Sequence, residues 1–149
     1  MSEQWVRTGF SGSLSGRASR DTVPEMLLRS ALHKAGLRFR VHRRIGRFTV
    51  DIVLPRHHIA VYVDGCSWHA HGCKHGGGKI PSGPNGDAWA AKFRNVKERE
   101  RQAESLLAAE GYSLVRIWEC SIKKDPAHAA TQVTSIIKNK MATNVDQLR

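Results

Sequence analysis

Residues 47–64 constrain this chain more than any other stretch. Two strand candidates, Arg47–Leu54 and Ile59–Asp64, both largely apolar, are parted only by Pro55-Arg56-His57-His58, so both read as strands of one sheet. Each run carries an acid, Asp51 in the first and Asp64 at the end of the second. A strand candidate precedes them over residues 38–43. Another follows over residues 112–118, where Leu114, Val115 and Ile117 surround Arg116.

Helical signals fill the spaces between. Thr22 and Glu25 have capping-box spacing, Pro24 sits in the first turn, and Gly36 can stop the helix after Leu28, Ala31, Leu32 and Ala35. Residues 74–86, rich in Gly and Pro, read as a loop. Asp87 opens a long helix ending at Gly111, with Trp89, Phe93, Val96, Ala103 and Leu107 as its buried stripe. Asp125-Pro126 starts a last helix with Ala130, Val133, Ile136 and Ile137 inward. This order predicts an α/β sandwich around one mixed sheet. At 149 residues the chain suits one domain over 22–149, preceded by a polar, flexible arm over 1–21.

Charge narrows the partners. Lys plus Arg number 24 against 13 Asp plus Glu, a net charge of +11. The excess recurs at residues 38–47, 92–101 and 123–140, so it belongs to the folded body. Such proteins bind phosphate-rich polymers or anionic membranes. With no transmembrane-length apolar run and no apolar signal core, the expectation is a cytoplasmic protein that binds nucleic acid. Arg38, Arg40, Arg43 and Arg44 form one candidate basic patch. Lys92, Asn95 and Arg99, at i, i+3 and i+7, share a helix flank and form a second, although a charged flank is more often merely solvated.

A carboxylate among strand residues is expensive when dry and unpaired. Asp51 is therefore salt-bridged to a nearby arginine, set on a solvated strand face, or a ligand for a hard ion such as Mg²⁺, with Asp64 as a second ligand from the neighbouring strand. The stretch 66–73 is more specific: Cys66, His69, His71 and Cys73 fall within eight residues, and the third thiol of the chain is Cys120. With no export signal these thiols read as metal ligands rather than disulfides. Structural zinc wants a closed tetrahedron of N and S ligands, which Cys66, Cys73, Cys120 and one of His69, His71 or His75 would supply.

These residues resemble the core of the very-short-patch-repair (Vsr) DNA mismatch endonucleases. The likeness begins at residues 24–29, continues through 37–44 and 48–73, resumes at Trp89, Lys92, Asn95 and Arg99, and closes on Trp118-Glu119-Cys120. It covers residues 17–124. It implies a restriction-endonuclease-like fold of the PD-(D/E)xK type, with a mixed sheet flanked by helices and a structural zinc site. It also implies Mg²⁺-dependent nicking of duplex DNA at a T·G mismatch, by a monomer acting alongside mismatch-repair proteins. By resemblance, Asp51 binds the catalytic Mg²⁺, His69 activates or relays through the attacking water, and Glu25 orients the hydrated centre. Cys66, His71, Cys73 and Cys120 hold the Zn²⁺, and Trp68 is the wedge that enters the base stack.

Plainer roles stand beside these. Glu25 could only cap its helix, His69 could ligate zinc, and Trp68 could be core packing. Two positions depart from the family pattern. Asp64 stands where a histidine usually precedes Gly-Cys, and Ser67 stands where a second aromatic often precedes Trp68. A small polar residue cannot wedge a base step. The departures keep two other readings open: a sequence- or structure-specific endonuclease without a mismatch requirement, and a catalytically silent, zinc-containing DNA-binding module.

Overall fold

The computed structural model describes residues 20–66, Gly72 and residues 83–147. Helix α1 spans Val23–Lys34, and strands β1 (Arg40–Ile45), β2 (Phe48–Leu54) and β3 (Ile59–Asp64) follow. The long helix α2 (Gly86–Ala109) leads to β4 (Ser113–Trp118), a short α3 (Glu119–Lys124) and the final α4 (Pro126–Gln147). The strands lie in the order β1-β2-β3-β4. β2 runs antiparallel to both β1 and β3, whereas β4 runs parallel to β3, because α2 carries the chain back across the sheet. The mixed sheet predicted from the strand pattern is thus present.

Hydrophobic residues pack on both sheet faces. Ile52, Leu54, Ile59, Val61 and Ile117 meet Leu28 and Leu32 of α1, Ile122 of α3, and Val133 and Ile137 of α4. On the other face Ile45, Val50, Val53 and Ala60 meet Leu107 of α2. The stripe expected on α2 is buried at Trp89, Phe93, Ala103 and Leu107, with Val96 only half covered.

The helix boundaries follow their sequence signals. Thr22 Oγ1 accepts from the Glu25 N–H at 3.4 Å, and Asp125 Oδ1 accepts from the His128 N–H at 3.0 Å. After α1 the Gly36 N–H bonds to the His33 carbonyl and the Leu37 N–H to the Leu32 carbonyl, the paired bonds that end a helix cleanly.

Two elements depart clearly from the sequence reading, while the other ends shift by no more than one or two residues. The first strand covers Arg40–Ile45 rather than residues 38–43, because Ile45 pairs with Phe48 and fixes the hairpin register. Helix α3 was not anticipated, since six residues hold too few turns to show a period.

The β1–β2 hairpin turns on Gly46 and Arg47, and φ is positive at the first of them only (+58° at Gly46), as in a type II′ turn. A Cβ on Gly46 would also lie 2.8 Å from Leu106 Cδ2 on α2. Gly46→Ala is expected to cost about 1–2 kcal/mol, because it combines left-handed strain with displacement of a packed leucine. An unchanged denaturation midpoint would contradict this account.

Candidate active site

The site forms where β2 and β3 separate. Their pairing runs Leu54↔Ile59, Val53↔Ala60 and Ile52↔Val61, then stops. Beyond that point Asp51 Oδ2 accepts the Val63 N–H at 2.8 Å, so a side chain satisfies a donor that the ladder has released. The inward pattern of β2 changes at the same place: Val50 packs with the α2-side residues, whereas Ile52 packs with the opposite side. In an even strand residues 50 and 52 would share a face. Across the hairpin the register likewise pairs Val41 with Ile52 and Arg43 with Val50 but skips the residues between, and there His42 adopts φ +48°. A non-glycine residue in that region is strained.

Glu25 approaches from α1. It is only 4% exposed. Its Oε2 accepts from the Asp21 N–H at 3.0 Å and from the Arg29 guanidinium at 3.2 Å. The residue therefore takes part in helix capping, but its carboxylate is also close enough to act on Asp51. Burial pushes the Asp51 carboxyl up to about 6, the Glu25 and Asp64 carboxylates push the same way, and the Val63 N–H and His42 oppose them.

Asp21, Glu25 and His42 offer ligand atoms within 4.8 Å of one another. Arg29 already serves this cluster. Its guanidinium donates to Asp21 Oδ1 at 2.8 Å and lies 3.0 Å from His42 Nε2. Arg29 and His42 hold the Asp21 carboxyl below its ordinary value. Thus Asp21, placed at the end of the arm by the sequence reading, is tied to the domain.

On the α2 side Asp51 and Asp64 line one cleft of about 380 Å³ with Arg47, Tyr62, Arg99 and Arg116. Asp64 is 5% exposed and accepts from Arg116 through both oxygens, at 3.0 and 3.3 Å. The expected second Mg²⁺ ligand is thus already engaged by a cation. Arg99 is the member of the Lys92/Asn95/Arg99 flank that lines this cleft. Lys92 lies over the Trp89 ring at 5.2 Å, and Asn95 is exposed on α2. Arg38, Arg40, Arg43 and Arg44 are exposed before and along β1, which forms one edge of the sheet.

For the zinc set, Cys66 is buried where β3 ends, and Cys120 is in the first turn of α3. Glu119 Oε1 accepts the Cys66 N–H at 3.0 Å, which ties these two segments together. Ser67, Trp68, His69, His71, Cys73 and His75 lie outside the described residues.

Sequence reasoning missed Asp21, Arg29, His42, Tyr62 and Arg116 as parts of the site, whereas Arg47 closes the basic segment 38–47 that it singled out. Arg116 had a readable signal, since a guanidinium in an apolar strand needs a counterion. His42 had none, because its role depends on a backbone flip that breaks the two-residue period.

Comparison with known proteins adds to this geometry. The profile of the family described as "DNA mismatch endonuclease Vsr" matches residues 8–75. The type II nicking enzyme V.XorIIP of Xanthomonas oryzae pv. oryzae is 39% identical over 104 residues, which is 70% of this chain and 74% of that protein. The type II nicking enzyme V.NaeI of Lentzea aerocolonigenes is 30% identical over 146 residues, 95% of this chain and 86% of its own. The DNA mismatch endonuclease Vsr of Escherichia coli is 32% identical over 106 residues, 71% of this chain and 66% of its own. Among solved structures, the catalytic domain of the homing endonuclease I-Bth0305I superposes with a TM-score of 0.50 at 16% identity, covering 76% of this chain and 92% of that domain. That likeness concerns the fold, and it agrees with the restriction-endonuclease-like architecture expected from the sequence.

Proposed function

This chain belongs to the Vsr family of DNA mismatch endonucleases, and from that premise we propose that it nicks one strand of duplex DNA at a T·G mismatch, with Asp51 as the Mg²⁺ ligand. The observation that carries this reading is the Asp51 carboxylate held at the fork between β2 and β3, close to other acids and open to a cleft walled by arginines. A carboxylate oxygen facing a solvent-filled cleft suits a hard divalent ion, which takes few protein ligands and keeps several waters. Bound there, the ion would supply positive charge against the charge that develops on the phosphodiester.

The protein's own groups do the rest. Val63 N–H fixes one Asp51 oxygen, and Arg29 fixes the Glu25 carboxylate that orients the hydrated centre. His69 accepts the proton of the attacking water, a role carried by the family resemblance and by its place just after β3. Arg38, Arg40, Arg43, Arg44, Lys92, Asn95 and Arg99 carry the DNA backbone, and Trp68 enters the base stack. Cys66, His71, Cys73 and Cys120 hold a structural Zn²⁺. The proposed enzyme is cytoplasmic, works as a monomer on DNA, and is served by mismatch-repair proteins. Among the described residues no helix is long and apolar enough to cross a membrane.

Ser67 favours a second reading, in which the enzyme nicks a particular sequence without needing the mismatch, because the wedge has lost an aromatic. One assay separates the readings: nicking of matched and T·G duplexes of the same sequence, with Mg²⁺ or with EDTA. The proposal expects a nick in the T·G duplex with Mg²⁺ alone. Equal cutting of both duplexes would support the second reading. A protein that binds both and cuts neither would be the silent module.

A further inference from the structure

Arg116 is an unusual residue for the middle of a strand, and its surroundings are specific. It pairs in register with Tyr62 of β3, and its guanidinium lies 4.8 Å from the Tyr62 ring centroid. Its NH1 donates to both oxygens of Asp64. An ion pair that served packing alone would bury both partners. Here the Asp64 side chain is 6% exposed, whereas that of Arg116 keeps 26% and lines the cleft that holds Asp51. Only NH1 is engaged by Asp64, so Nε and NH2 bond to no residue among the described ones. The anchor and the ring hold the guanidinium, while the Nε–Nη2 edge of donors remains for a ligand.

We propose that Arg116, anchored by Asp64 and stacked on Tyr62, grips a phosphate of the DNA strand that is cut at Asp51. A planar fork of N–H donors matches two phosphate oxygens, and a guanidinium held in place loses little freedom on binding them. Arg47 and Arg99 line the same cleft and extend the positive track. This gives the departure at Asp64 a purpose: it is the anchor of a phosphate clamp rather than a ligand of the ion. The word "cut" rests on the nicking function proposed above, whereas the phosphate contact can be measured without it.

Removing Arg116 alone would take the guanidinium partner from a buried carboxylate and destabilise the fold. The test therefore compares Asp64→Asn with Asp64→Asn/Arg116→Met, where no orphan charge remains, and adds Arg116→Lys. Binding to a short duplex is followed in EDTA across a salt series. The double variant is expected to bind roughly tenfold more weakly than Asp64→Asn at moderate salt. Its log–log salt slope should be smaller by about 0.9, the loss of one neutralised phosphate. Arg116→Lys should keep the slope but lose its fork, so nicking at saturating duplex falls roughly tenfold or more. Half-saturating Mg²⁺ for nicking by Asp64→Asn should stay within about threefold of wild type.

Equal slopes and affinities in the two Asp64→Asn backgrounds would overturn the clamp. A large shift in the Mg²⁺ requirement of Asp64→Asn would assign Asp64 to the ion and likewise overturn its anchor role. If the wild type nicks while the slopes match, the clamp alone fails. If the slopes differ while the wild type cuts nothing, the nicking proposal fails and Arg116 stands as a DNA-binding group.

Discussion

Asp51→Asn is expected to leave duplex DNA uncut and, without divalent ions, to melt at a higher temperature than the wild type at pH 8. Loss of cutting follows from loss of the ligand charge. The gain in stability follows from proton linkage. The Asp51 carboxyl titrates near 6 in the folded chain, against 3.8 for its ordinary value. The folded state therefore binds this proton more tightly than the unfolded state. The group's favourable contribution is complete below pH 3.8 and is lost as pH rises to 6, after which it stays lost. That interval is worth about 3 kcal/mol.

Asparagine carries no charge yet still accepts the Val63 N–H through Oδ1, so the variant keeps the hydrogen bond and avoids the penalty. Other carboxylates titrate in the opposite sense: Arg101 and Gln102 pull Glu98 down to about 2. Only the difference between variant and wild type isolates Asp51. Thermal melts from pH 4 to pH 8 should show a gap that opens between pH 4 and pH 6 and then levels. Millimolar Mg²⁺ should close it from the wild-type side, because an ion that binds only the folded state stabilises it. A gap that does not change with pH would refute the linkage, and an Asp51→Asn protein that nicks normally would remove Asp51 from the chemistry.

The second large effect concerns zinc. Freshly purified protein is expected to release one Zn²⁺ per chain when denatured, and Cys120→Ser should abolish that release. Cys66 closes β3 and Cys120 opens α3, already joined by the Glu119 bond to the Cys66 N–H. A shared ion would fasten these segments to His71 and Cys73. Structural zinc contributes about 10–16 kcal/mol in zinc-finger peptides, comparable to or larger than the net stability of an ordinary domain. Cys120→Ser should therefore be recovered largely unfolded or insoluble, with far-UV circular dichroism and solubility as readouts. Wild-type protein that is fully folded and free of zinc would rule the site out.

How much of this was legible in the sequence depended on which physical rule governed each part. β2 and β3 were placed because apolar runs bounded by Pro55 and Gly65 leave few alternatives. α1 and α2 were marked by Thr22, Gly36 and Gly111, residues whose backbone roles are local. β1 slipped by two residues because Arg43 and Arg44 look like a boundary, although the hairpin pairs them with Val50 and Thr49. The acids Glu25, Asp51 and Asp64 stood out in the sequence as candidates, but not that Arg29 and Arg116 would each bond to one of them. Arg116 and Asp64 lie 52 residues apart and meet across β3 and β4, and Arg29, one helical turn from Glu25, also reaches His42 on a sheet whose faces exchange at Asp51 and His42. No periodic pattern announces such an exchange.

The fork between β2 and β3 also bears on how this protein would age under mutation. The side chain proposed to hold the ion also stitches two strands together, so an apolar replacement would remove the proposed ligand and leave the Val63 amide without an acceptor, at about 1–3 kcal/mol. Selection for folding alone would thus resist most exchanges at position 51 and admit chiefly those that still accept a hydrogen bond. A descendant that no longer cut DNA could keep Asp or Asn there for architectural reasons. The persistence of that acid across a lineage records an intact scaffold, and the retention of activity has to be read from other positions.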